Sequence, residues 1–280
     1  MNQKIAIIGF GKLGQTLAKA LKNTTWNLVG VFDKECDKGK NIVQALQLRY
    51  YDNLETLLFE ADIIFLTVPD NLITTLAQKI ATLNYNNKNQ YFFHCSGSQN
   101  LDALQPLHTS NIGCFHPLQA FTENTTSLEN TYVAIDGEQS SLNIATKLAH
   151  TLNAVPIHVP ANDKPLYHAA ACILSNYLVS LTCIAEDIFM KWSIPREALF
   201  GLLQSTVHNI ERAKNTASAL TGPLSRGDSS TISQHLEVLP DKYQHLYCLL
   251  GLKTLDIAKA NGTITDNNYL ELRNLLNNKI

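Results

Sequence analysis

The chain opens on a short apolar, β-branched run, Lys4-Ile5-Ala6-Ile7-Ile8, and runs of this kind recur through its first half. Such runs, apolar at successive rather than alternate positions, read as strands buried on both faces. They fall at 27–32, 61–68, 91–94, 112–115, 131–135 and 155–159, with a shorter extended segment at 48–50. Between them, apolar residues at helical spacing mark 15–21, 40–46, 54–60, 72–83, 101–107 and 140–152. This alternation predicts an α/β fold, with a doubly wound parallel sheet that takes its ligand at the C-terminal strand ends. The pattern changes at Pro160-Ala161-Asn162-Asp163, after which only helices are predicted, at 164–192, 195–215, 231–238, 241–261 and 266–277. The expected organisation is a first domain over 1–160 and a second, all-α domain over 161–280 that carries substrate and dimer contacts.

The first strand runs directly into Gly9-Phe10-Gly11-Lys12-Leu13-Gly14, a G-x-G-x-x-G, and a helix-forming segment follows. In that context Gly9 makes the tight turn, Gly11 admits a pyrophosphate to the backbone, and Gly14 lets helix and strand pack closely. The phosphates would rest on the unpaired N–H groups and positive end of the helix. The sheet is therefore expected to be of the Rossmann dinucleotide-binding type, with Val68-Pro69 passing the nicotinamide half of the cofactor. Asp33 ends the second strand, where a carboxylate accepts the adenosine ribose hydroxyls and repels a 2′-phosphate. Asp33 thus favours NAD, while Lys34, Lys38 and Lys40 leave NADP open.

Composition narrows the function classes. With 45% hydrophobic residues, 16% charged residues and a formal charge of −2, the chain reads as a globular protein without a nucleic-acid footprint. Cys36, Cys95, Cys114, Cys172, Cys183 and Cys248 include no C-x-x-C pair, so buried thiols in a reducing cytoplasm are expected, with no metal site. No signal-peptide pattern is visible at the start. The apolar stretch 169–189 contains Ser175, Asn176, Ser180, Thr182, Glu186 and Asp187, too many polar groups for lipid. It is expected to be buried in a bundle or against a second copy, as in a homodimer.

Candidate chemistry gathers at strand ends and on one helix. His94-Cys95-Ser96-Gly97 and Phe115-His116-Pro117-Leu118 close two strands on the ligand side. His116 is positioned to donate a proton to a carbonyl or imine, or is a loop histidine fixed by Pro117. For His94 a buried, neutral imidazole is favoured. Lys164, His168, Cys172 and Ser175 or Asn176 share one helical face, where burial would bring the lysine toward proton-transfer chemistry. Arg226 either clamps a substrate carboxylate or pairs with Asp228. The expected catalytic set is Lys164, His168 and His116, with Ser96, Asn176 and Arg226 at the substrate.

With those motifs in view, the chain resembles the 6-phosphogluconate dehydrogenase C-terminal-like superfamily. That group includes 3-hydroxyacid dehydrogenases, ketopantoate reductase and pyrroline-5-carboxylate reductase. Most closely it resembles a branch pairing a Rossmann-like domain with a helical domain of unknown function. The landmarks are His94-Cys95-Ser96-Gly97, Phe115-His116-Pro117-Leu118, Tyr167-His168-Ala169-Ala170-Ala171 through Ser175-Asn176-Tyr177, and Ala219-Leu220-Thr221-Gly222-Pro223 with Arg226-Gly227-Asp228. The resemblance implies a proton-transferring lysine at Lys164, with His168 where hydroxyacid dehydrogenases carry asparagine. It likens His116-Pro117 to the histidine-proline of prephenate dehydrogenases. Many relatives in this branch carry serine and arginine after the second strand and are NADP-adapted; Asp33-Lys34 departs from them. The expected function is an NAD(P)-dependent oxidoreductase acting on a small carbonyl, hydroxyl or imine compound between the domains. The alternative is a non-catalytic dinucleotide-binding sensor or scaffold.

Overall fold

A computed structural model describes residues 3–35, 39–83 and 89–280; Cys36 and Lys38 lie outside the described residues. The elements in order are β1 (Lys4–Ile8), α1 (Lys12–Lys22), β2 (Asn27–Phe32), α2 (Lys40–Ala45), α3 (Leu54–Glu60), β3 (Ile63–Leu66), α4 (Ile73–Ala81), β4 (Tyr91–His94) and β5 (Ile112–Pro117). They continue with β6 (Tyr132–Gly137), α5 (Gln139–Thr151), β7 (Val155–His158), α6 (Lys164–Leu174) and α7 (Asn176–Phe189). The last are α8 (Arg196–Arg212), α9 (Pro223–Arg226), α10 (Ser229–Val238), α11 (Asp241–Ala260) and α12 (Asp266–Asn277).

The strands form one sheet in the order β2-β1-β3-β4-β5-β6-β7. Its central strands are largely apolar because both faces are covered. Ile5, Ile7, Ile63, Phe65 and Phe93 enter the core on one face, and Ala6, Ile8, Ile64, Leu66 and Phe92 enter the core on the other. β2 lies on one side of β1 and β3 on the other, with the chain crossing over between β2 and β3, and this reversal opens the ligand crevice at the end of β1.

Three local expectations are corrected. The sheet is mostly rather than wholly parallel, since β6 runs antiparallel to β5. The 118–131 connection contains no crossover helix, and a parallel neighbour needs one. Residues 101–107 form a 3₁₀ helix, with Pro106 inside it lacking an N–H to donate. The segment 48–50 contributes a single bridge, between Val31 and Tyr50.

The chain divides into two compact units, Met1–Tyr177 and Leu178–Ile280. The expected boundary near 160 falls inside the first, because α6 is anchored to the sheet by Lys164, whose ammonium lies 3.1 Å from Asp136 of β6. In the second unit, α9 to α12 enclose a core that includes Leu224, Ile232, Cys248, Leu255 and Leu272. The predicted 164–192 helix is two helices, α6 and α7, with Ser175 between them. Within 161–192 the most apolar 18-residue window has a mean hydropathy of 1.5, long and apolar enough to cross a membrane, and none of that window is buried. Leu166, Ile173, Leu174, Val179 and Met190 are all more than 60% exposed in the single chain.

Candidate active site

The site starts at the glycine turn. Gly9 adopts φ +96°, in the region that favours glycine, and bends β1 into α1. A Cβ on Gly14 would lie 2.3 Å from the Gly9 carbonyl oxygen, so only glycine allows this helix–strand approach. A Cβ on Gly11 would meet nothing within 4 Å, because that side of the turn faces an open cleft. The cleft measures about 760 Å³, and its walls include Gly11, Lys12, Leu13, Asp33, Val68 and Pro69. No side chain caps the start of α1 among the described residues, so its first N–H groups face the cleft as phosphate donors. These features fit a dinucleotide pyrophosphate.

Two of the expected cofactor residues are also tied into the fold. The Phe10 ring is fully buried in the core, and only its N–H takes part, donating to Asp33 Oδ2 at 2.5 Å. Asp33 Oδ1 accepts the Glu35 N–H at 2.9 Å. The carboxylate therefore binds the glycine turn to the end of β2 while lining the cleft.

A second cavity, of about 580 Å³, opens at the end of β5 and is lined by His116, Tyr167, His168, Cys172 and Asn176 among others. His116 Nδ1 lies 3.1 Å from the Tyr167 hydroxyl, and the His116 and His168 rings meet edge-on at 6.1 Å. Cys172 Sγ sits 3.9 Å from His168 Nδ1. Burial, with His168 beside it, pushes the pKa of His116 down to about 4, so its ring is neutral at neutral pH. Burial pushes the Tyr167 phenol up to about 12.

The two cavities are separated by the turn after β4. Cys95 and Asp70 line the glycine cleft, whereas Gly97 backs onto the histidines. A Cβ there would sit 2.7 Å from His168 and 2.8 Å from His116, so glycine permits both imidazoles to close on the turn. Ser96 donates to Asp70 Oδ2 at 2.6 Å and Ser98 donates to the same oxygen at 2.9 Å. Ser96 Oγ also accepts the N–H groups of Ser98 and Gln99. Its expected role at the substrate gives way to holding this turn. Gly97, Asp70 and Tyr167 lie within motifs the sequence marks, but none of them has a role of its own in that reading; Tyr167, one residue before His168, is the most accessible to sequence reasoning.

Lys164 also departs from expectation. Strand register places His94, Cys114 and Asp136 side by side across β4, β5 and β6. The Lys164 side chain is 2% exposed and reaches Asp136, and it lines neither cavity. The approach lacks hydrogen-bond alignment, so it is an ion pair without a directed bond. Burial and then the Lys164 ammonium push the pKa of His94 down to about 3, which makes it the neutral core histidine expected. Lys164 is thus a buried counter-ion, because α6 turns its first residue toward the sheet. Arg226 lies in the second unit as an exposed residue ending α9, while Asp228 caps α10 through the Thr231 N–H. No group of three or more candidate metal ligands occurs among the described residues.

The glycine turn, crevice and sheet order define a Rossmann dinucleotide-binding protein. Residues 3–87 match the oxidoreductase family with an NAD-binding Rossmann fold, and residues 131–254 match a domain of unknown function, DUF2520. The chain therefore joins a Rossmann NAD(P)-binding oxidoreductase domain to a C-terminal DUF2520 domain. No curated protein matches it. Among solved structures it is similar to a candidate NADP oxidoreductase from Bacteroides fragilis, at 22% identity over 91% of this chain and 98% of that one, with a TM-score of 0.81. A Thermotoga maritima protein is 23% identical over 92% of this chain and 99% of its own, with a TM-score of 0.67. Plasmodium falciparum pyrroline carboxylate reductase, solved with NADP bound, is 13% identical over 98% of both chains, with a TM-score of 0.61. At these identities the likeness establishes the fold.

Proposed function

We propose that this protein is an NAD(P)-dependent oxidoreductase that moves a hydride between nicotinamide and a small carbonyl, hydroxyl or imine compound held against His116, Tyr167 and His168. The observation that carries the reading is the thinness of the wall between the two cavities. Cys95 faces the glycine cleft, and two residues later Gly97 touches both histidines. A dinucleotide on the glycine turn, its nicotinamide end at Val68-Pro69, would bring the second cavity within reach of the reacting carbon. The nicotinamide supplies the hydride; the chain's residues orient substrate and supply the proton.

Asp33 supports a preference for NAD, as its carboxylate lines the cleft where a 2′-phosphate would lie. A homodimer would cover the exposed apolar residues of α6 and α7, with the chain in the cytoplasm. The ion pairs of Glu186 with Arg196 and Asp187 with Lys242 suit α7 to water and protein rather than to lipid. Light scattering at tens of micromolar should give a dimer; a monomer there would refute that part.

The test of function is cofactor binding by calorimetry, followed by NADH and NADPH consumption against 2-oxo acids, 3-oxo acids, aldehydes, ketones and cyclic imines. Gly11→Ala should weaken binding about tenfold or more, since its methyl enters the phosphate space. It should leave the melting temperature unchanged, because nothing in the protein lies within 4 Å. Unaltered affinity in Gly11→Ala would sink the cofactor assignment. Tight binding with no turnover across the panel would favour the sensor.

A further inference from the structure

Resting on the oxidoreductase reading above, we propose that Tyr167 is the proton donor of the reaction and that His116 is its partner, returning the proton through Nδ1. The geometry comes first. The Tyr167 hydroxyl and His116 Nδ1 are 3.1 Å apart, their rings meet edge-on at 5.6 Å, and both line the same 580 Å³ cavity. Gly97 closes the other side of the imidazole, so His116 has little freedom to leave the phenol. With its proton on Nδ1 the ring donates to the phenol oxygen and leaves the phenol O–H to point at a ligand.

Charge state then separates the candidates. His116, held down to about 4, is not an imidazolium at neutral pH. Lys164 is buried against Asp136 and away from the cavity. Tyr167 keeps its proton at any physiological pH and remains far more acidic than the alcohol it would form.

In the reducing direction, the carbonyl carbon gains a hydride, with both electrons, from the reduced nicotinamide. The C=O π bond breaks, and the oxygen takes the Tyr167 hydroxyl proton as its new O–H bond forms. As the phenolate oxygen takes the His116 Nδ1 proton, Nε2 takes one from water, and the hydroxide left is neutralised by a solvent proton. The ring stays neutral and the net addition is one hydride and one proton; exchange with solvent then returns the ring proton to Nδ1. Oxidation runs the same steps backwards. An imine nitrogen would accept the proton in place of oxygen.

The experiment compares wild type with Tyr167→Phe, which keeps the ring and removes the hydroxyl. On a panel compound that the wild type reduces, kcat should fall about a hundredfold or more while the calorimetric Kd for NADH stays within about twofold. A structural role alone would not divide the two measurements in this way. The second readout needs no turnover. In ¹⁵N-histidine NMR spectra, the His116 Nδ1 resonance should move in Tyr167→Phe. An unchanged kcat in Tyr167→Phe, or an unmoved Nδ1 resonance, overturns the proposal and leaves the oxidoreductase reading standing. Cofactor binding with no panel compound reduced by the wild type overturns both.

Discussion

The buried pair between Lys164 and Asp136 makes Lys164→Met the most informative single change in the first unit. Methionine keeps the length and apolar volume of the lysine stem, so little cavity is created. What is lost is the counter-ion of a carboxylate whose side chain is only 14% exposed. Removing one partner of a buried pair costs about 3–5 kcal/mol, since the remaining charge is left in a low-dielectric site. Asp136 Oδ1 accepts the Gly137 N–H at 2.9 Å, which offsets part of that cost. The lower end is therefore expected, about 3 kcal/mol. In a unit of this size that lowers the melting temperature by roughly 6–12 °C. The assay is urea unfolding followed by fluorescence of Trp26, which packs against the core of the sheet, in a Trp192→Phe background. Adding Asp136→Asn removes the stranded charge, and the double variant should recover about 2 kcal/mol relative to additivity. A loss below about 1 kcal/mol, or strictly additive losses, would refute a buried ion pair.

Two further outcomes are expected. Asp33→Asn removes the charge at the ribose end of the cleft while keeping an acceptor for the Phe10 N–H. Calorimetry should show NADPH affinity rising relative to NADH, and an unchanged ratio would exclude Asp33 as the discriminator. His94 and His116 have folded pKa values near 3 and 4, below the ordinary 6.5, so the unfolded chain binds more protons in that interval. Their contribution to stability is complete above pH 6.5 and falls with acidification, by up to about 1.4 kcal/mol per pH unit for each between 6.5 and 4. Urea midpoints at pH 7.5, 6 and 5 measure it; His116→Asn should flatten the trend, and midpoints independent of pH in wild type would contradict it.

Much of the first unit was legible because its signals are local. The glycine turn, its flanking strand and helix, and Asp33 lie within thirty-odd consecutive residues, and two-sided burial shows directly in apolar runs such as Ile5–Ile8. The parts that were missed depend on pairing between distant segments. Asp136 is a single acid at a strand end until register sets it beside Cys114 and His94. Helical spacing correctly placed Lys164 and His168 on one face of α6. How that helix is rotated against the sheet is set by the ion pair, and the rotation sends the ammonium inward and leaves His168 and Tyr167 on the cavity wall. Ser96 was legible as a strand-end polar group, but its commitment to Asp70 follows from a contact spanning 26 residues.

The antiparallel strand β6 also decides which way α6 travels. Because β6 and β7 run against the rest of the sheet, the chain leaves β7 heading toward the level of Cys114 and Asp136, away from the ligand edge. It must then turn and climb. Lys164 meets Asp136, the partner of Cys114, and one turn later Tyr167 meets His116, two residues further along β5. Helix and strand ascend together, so each helical turn is matched to a step of the strand. Had β6 been parallel to β5, the helix would have begun at the ligand edge and descended. Its first residue would then have faced the cavity, and the tyrosine would have been carried out of reach. A reversal in one strand thus selects which residue type on the next helix is offered to a ligand.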